Sequence, residues 1–162
     1  GIEMNLNELF KKQKELDDYI KTTRNITNSQ TLNKITSLSV ELGELLNEFP
    51  QLFKFWSNKK NNHSAGLTEY TDCIHFALSI ANDLNYTEHK YTPTNLADIR
   101  KTYLGLQNIL AILSVDRDKR HLVTLFNNLI ALGYQLGFSE EQVINAYGEK
   151  HEENYRRQKT GY

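Results

Sequence analysis

Val40-Glu41-Leu42-Gly43-Glu44-Leu45-Leu46-Asn47-Glu48-Phe49 carries an apolar stripe with acids cut into its edge. Wound as a helix at about 100° per residue, Leu38, Leu42, Leu45, Leu46 and Phe49 fall roughly 40° to 140° from Glu41, whereas Glu44 and Glu48 fall at roughly 300° to 360°. The three carboxylates form one row beside the stripe that faces the core. Glu69-Tyr70-Thr71-Asp72-Cys73-Ile74-His75-Phe76 repeats the design. Counted from Glu69, Tyr70, Cys73, Ile74, Ala77 and Ala81 span about 40° to 140°, and Asp72 stands near 300°. Two such helices packed through their stripes bring Glu41, Glu44, Glu69 and Asp72 to one edge of a shared core. Like charges at that spacing repel unless a cation sits among them, so the pattern predicts a metal site.

The 162 residues, 39% hydrophobic and 24% charged, suffice for one domain, read as residues 4–162. Two prolines, eight glycines and no sustained strand-like alternation predict an all-α fold. The expected architecture is a helical bundle of about five to six helices built around a four-helix core. A net charge of −1 offers no basic field for nucleic acid. No apolar run approaches the ~18 residues that a membrane span needs. Cys73 is the only cysteine, which excludes an intramolecular disulfide and a thiolate zinc cluster and suits a reducing, cytoplasmic setting. Gly1-Ile2-Glu3 before Met4 reads as a cloning remnant.

The chain in order supplies further candidates. A first helix from about Leu6 to Thr22 places Gln13 in its apolar face, either as a boundary residue or as an amide paired with a group that both donates and accepts, such as a base edge. Thr31 is the expected cap of the acid-bearing second helix, and Pro50 closes it. Gln51 to His63 runs from an aromatic cluster into a basic loop. Its aromatics either cap the core or present Trp56 to a base, with Lys59 and Lys60 offered to phosphate. In the third helix, about Ala65 to Asn85, Asp83 lies about 16 Å beyond Asp72, too far to share an ion. Cys73 reads as a small buried hydrophobe, and His75, off both the stripe and the acid row, as a boundary residue. A polar linker over 85–93 leads to a fourth helix from about Thr94 to Ser114, with Leu96 in its stripe. Asp116 to His121 reads as a solvated turn before a fifth helix stopped by Gly137. Ser139 and Gln142 form a capping box for the last helix, with Phe138 and Val143 as its staple. Lys150, Asn154 and Arg157 share one face there, as an anion site or as a basic end suited to the helix dipole.

Glu41-x-x-Glu44 followed by Glu69-x-x-Asp72 resembles the acid signature of the all-α NTP pyrophosphatases, which include MazG-like proteins and dimeric dUTPases. Three stretches narrow the resemblance to the dimeric dUTPases: Leu9-Phe10-Lys11-Lys12-Gln13-Lys14-Glu15-Leu16-Asp17, Asp72-Cys73-Ile74-His75-Phe76-Ala77-Leu78-Ser79, and Tyr147 to Tyr162. The region 87–120 diverges, and His151 stands where the family has asparagine. The resemblance implies a homodimer that hydrolyses dUTP, and dUDP, to dUMP, with sites drawing on both subunits. It further implies Mg²⁺ held by Glu41, Glu44, Glu69 and Asp72, and a water activated by Glu44 or Glu48 attacking the α-phosphorus. Lys150, Asn154 and Arg157, with Lys59 or Lys60, would hold phosphates. Gln13 would read uracil, Trp56 would wall the ring, and His75 and Phe76 would lie near the sugar. Some phage-borne relatives also bind a pathogenicity-island repressor protein, which region 87–120 would contact here, in a bacterial host cell. Three rivals stand beside this reading: a related pyrophosphatase selecting another base such as dCTP, a non-catalytic helical interaction module, and a di-iron bundle. The last is disfavoured because the second helix has no histidine.

Overall fold

The computed structural model describes residues 5–93 and 98–161. Residues 1–4, the first three of them read as a cloning remnant, the expected helix start at Thr94 with Leu96, and Tyr162 lie outside the described residues. Among those described, the fold is all-α. Its six α-helices are α1 (Asn7–Thr23), α2 (Thr31–Asn47), α3 (His63–Asp83), α4 (Ile99–Leu113), α5 (Lys119–Gln135) and α6 (Glu140–Lys159), with a 3₁₀ turn at Pro50–Leu52. Local chemistry starts four of them. Asn62, Asp98 and Asp118 each accept a backbone N–H in the first turn of α3, α4 and α5, and Ser139 with Gln142 closes the predicted capping box of α6.

α2 does not start as expected. Thr31 is its first residue and not its cap, and its hydroxyl donates to Asp83 Oδ2 at 2.8 Å, while Lys34 Nζ reaches Asp83 Oδ1 at 2.9 Å. Asp83 outcompetes the local backbone because one half-buried carboxylate satisfies both donors. At the opposite end, Asn62 N–H donates to the Glu48 carbonyl at 2.8 Å. α2 and α3 therefore run antiparallel, which sets Glu41 and Glu44 opposite Asp72 and Glu69.

α3 is the hub, packing against α1, α2, α5 and α6. It buries far more than its apolar stripe: Thr71, His75, Leu78, Ser79 and Ile80 are buried as well as Tyr70, Cys73, Ile74, Ala77 and Ala81. Two glycines allow aromatic rings to lie close to helix backbones. A Cβ on Gly66 would strike the Phe49 ring, and one on Gly133 would lie 2.5 Å from the Tyr70 hydroxyl, which donates to the Leu129 carbonyl at 2.7 Å.

The 85–93 linker is fastened down, contrary to its polar composition. His89 is buried, with its two ring nitrogens bonded to the Tyr86 hydroxyl and to Asn127 Oδ1, and Thr92 N–H donates to the same Asn127 oxygen. The 116–121 turn is likewise only partly solvent-like, because Lys119–His121 already belong to α5 and His121 pairs with Asp116 at 3.0 Å. Beyond the 3₁₀ turn the chain leaves the core. Phe55 is 95% and Trp56 67% exposed, so the reading of these two as core caps fails; the polar run Ser57–Asn62 that follows them keeps the loop in water.

Candidate active site

Antiparallel pairing of α2 and α3 gathers the acids. Glu41, Glu69 and Asp72 each place a carboxylate oxygen within 4.8 Å of the others, a spacing suited to three ligands of one ion. Glu44 touches the carboxyls of Glu41 and Glu69 from the next turn of α2. Burial, the Asp72 charge and contact with Glu44 push the Glu41 carboxyl from 4.5 up to about 8. Glu69 and Asp72 are raised too, chiefly by burial, which the Lys150 ammonium partly offsets at Asp72. Glu41 Oε2 and Glu69 Oε2 are buried without a hydrogen-bond partner. Orphaned oxygens in an all-carboxylate set fit a hard divalent cation.

That crowding fixes a pH dependence. Glu41 binds in the fold a proton that the unfolded chain releases above 4.5, so stability present below 4.5 is lost as the pH rises toward 8. His75 runs the other way: burial holds its imidazole near 3, so the fold is penalised as the pH falls below 6.5. The two offset one another at intermediate pH; above 6.5 the His75 contribution is constant, and the raised acids, Glu41 foremost, set the trend. The Tm of chelator-treated protein is therefore expected to fall between pH 6.5 and 8, and millimolar Mg²⁺ to restore it. A flat Tm in that window, unchanged by Mg²⁺, would contradict the crowded cluster.

A second group of polar side chains lies toward α1. Gln13 is buried, and its Oε1 accepts from the Tyr147 hydroxyl at 2.8 Å and from His75 Nδ1 at 2.6 Å. With Nδ1 donating, a neutral His75 has an acceptor lone pair on Nε2, which is buried and unpartnered. The imidazole stacks on Tyr147 with centroids 4.1 Å apart, so α6 buries a histidine that α3 alone would leave at its boundary. Gln13 Nε2 donates to Asp17 Oδ1 at 3.0 Å, and Asp17 Oδ2 is buried without a partner. Asp17 has no role assigned from the sequence, although it closes the Leu9–Asp17 stretch and stands four residues from Gln13 on the same face of α1.

One cavity of about 410 Å³ joins both groups: Gln13, Asp17, Glu41, Asp72, His75 and Phe76 line it, and Lys150, Asn154 and Arg157 close it from α6. α6 is laid across the cavity by the Tyr155–Tyr19 ring contact at 5.2 Å and by Arg24 Nε donating to Gln158 at 2.6 Å. His151 belongs to the ring column between Tyr147 and Tyr155. Other predicted residues stand off this wall. Glu44 is exposed, Glu48 is half-buried at the end of α2, and Trp56, Lys59 and Lys60 are exposed on the loop before α3.

A dUTPase family model matches residues 5–162 of the chain. No curated protein matches it.

Proposed function

The chain belongs to the dUTPase family, an assignment that covers residues 5–162 and makes it a dUTP diphosphatase, and from that premise we propose a Mg²⁺-dependent mechanism centred on the cavity between α1, α2, α3 and α6. The observation that carries it is a cavity with an acid cluster at one end, an unpartnered acceptor pair at the other and cations along its side. That order matches a nucleoside triphosphate in charge and polarity.

Glu41, Glu69 and Asp72, with Glu44 beside them, would hold the cation. When bound, a divalent ion neutralises phosphate charge and acidifies a coordinated water. Lys150, Asn154 and Arg157 take the outer phosphate oxygens, and they stabilise charge growing on the departing pyrophosphate. Water oxygen bonds to the α-phosphorus as the bond from that phosphorus to the bridging oxygen breaks, giving dUMP and pyrophosphate. The water's proton passes to Glu44, the most exposed of the acid group and so the one best able to pass it on to solvent; Glu48, farther along the row, is the alternative base. The same contacts without a γ-phosphate serve dUDP.

At the other end, the remaining Gln13 Nε2 hydrogen donates to a uracil carbonyl, and Asp17 Oδ2 accepts the uracil N3–H. Cytosine presents a bare N3 and an amino group to the same two atoms, which leaves both mismatched. His75 Nε2 accepts from a sugar hydroxyl, with Phe76 against the ring. Homodimer formation, expected of this family, covers the Phe55–Trp56 pair and brings Trp56, Lys59 and Lys60 to the mouth of a site.

Turnover of dUTP against dCTP tests the base reading. Gln13→Ala is expected to narrow the ratio of kcat/KM values at least tenfold, because a site built to hydrogen-bond its substrate discriminates through those bonds. An unchanged ratio would remove Gln13 from base recognition.

A further inference from the structure

The cation-bearing face of α6 is already engaged with the acid cluster. Lys150 Nζ lies 3.3 Å from Asp72 Oδ1 and 3.7 Å from Glu153 Oε2, and Glu153 in turn holds Arg157 at 2.6 Å. The Lys150 and Asp72 side chains are only 20% and 16% exposed, so their attraction is weakly screened. Asp72 is at the same time one of the three acids whose oxygens converge within 4.8 Å. One carboxylate thus faces two claims: a fixed ammonium from α6, and a divalent ion shared with Glu41 and Glu69.

We propose that Lys150 competes with the divalent cation for Asp72, so that cation binding releases Lys150 to the triphosphate; this rests on the metal-centre reading above. Lys150 is in this sense a positioning residue as well as a phosphate ligand. A carboxylate that turns toward a doubly charged ion loses most of its attraction for the ammonium, and the ion repels that ammonium at the same distance. Glu153 keeps the displaced side chain on the cavity side of α6, one turn from Arg157. Metal and phosphate sites are then coupled through one side chain, and cation binding prepares the anion site before the nucleotide arrives. By linkage, a phosphate that draws Lys150 away from Asp72 tightens the ion in return.

Mn²⁺ binding to nucleotide-free protein, read from the electron paramagnetic resonance of the free ion, tests the competition without any turnover. Lys150→Gln removes the competitor and is expected to tighten Mn²⁺ about tenfold, while Lys150→Arg, which keeps the charge, is expected to bind close to wild type. Circular dichroism melts confirm that the variants are folded. An affinity for Lys150→Gln equal to or weaker than wild type overturns the competition while leaving the metal centre standing. Failure of both proteins to bind Mn²⁺ sinks the metal centre and the proposal together; where wild type binds, Glu41→Gln must lose that Mn²⁺, and an ion it retains lies elsewhere and likewise sinks the metal centre.

Discussion

Glu41→Gln is expected to lower kcat for dUTP by about 10³-fold or more while raising the Tm of chelator-treated protein. The two effects have one cause. Glu41 sits where burial, Asp72 and Glu44 all oppose its ionisation, and its Oε2 has no hydrogen-bond partner. An amide of the same shape needs neither the proton that the cation-free fold must take up at Glu41 nor the cation that would otherwise neutralise it. Function is lost because a neutral amide is a weak ligand for a hard ion and leaves the phosphate charge uncompensated. Stability gained as activity is lost marks a site built under strain. Activity within tenfold of wild type, or a lowered Tm in chelator, would each count against the cluster as the metal centre.

Gly133→Ala is expected to destabilise the fold by about 2 kcal/mol or more, a Tm drop of roughly 4–8 °C. The added methyl would gain about 1 kcal/mol of helix propensity. It would also lie 2.5 Å from the Tyr70 hydroxyl and 2.7 Å from Cζ, in a fully buried contact between α3 and α5. Tyr70 must then shift, giving up packing and its bond to the Leu129 carbonyl. Each of those losses is worth about 1–3 kcal/mol, so the clash outweighs the propensity. Tyr70→Phe relieves the closest contact, so the double variant should be less destabilised than the sum of the singles. A Gly133→Ala protein that melts with wild type would show that the helices are not packed this closely.

The parts legible in the sequence were those decided by local periodicity. The acid rows of α2 and α3 are amphipathic at helical spacing, and Ser139 with Gln142 sits at the start of α6 as a capping box must. Long-range contacts decided the rest. His75 reads as a boundary residue on α3 alone, yet Gln13 and Tyr147, distant in the chain, bury it. Thr31 has the local chemistry of a cap, but Asp83 at the far end of α3 takes its hydroxyl. His89 disappears into a linker of polar composition because Asn127 on α5 offers an acceptor there. α3 itself shows only a modest stripe, since a helix with neighbours on several sides is buried nearly all round and loses the polar face that periodicity detects. Asp17 was hidden for a related reason: its interest lies in an unpartnered oxygen facing a cavity, and no cavity exists until α6 crosses α1.

The most direct test of the account is pyrophosphate release from dUTP, dCTP, dTTP and UTP by the wild-type protein, with Mg²⁺ and with excess chelator. Turnover of dUTP well above the other three, abolished by chelator and restored by added Mg²⁺, is the predicted result. Comparable turnover of dUTP and dCTP would contradict the Gln13–Asp17 base pocket, and dUTP turnover that survives chelator would contradict the carboxylate metal centre on which the mechanism turns.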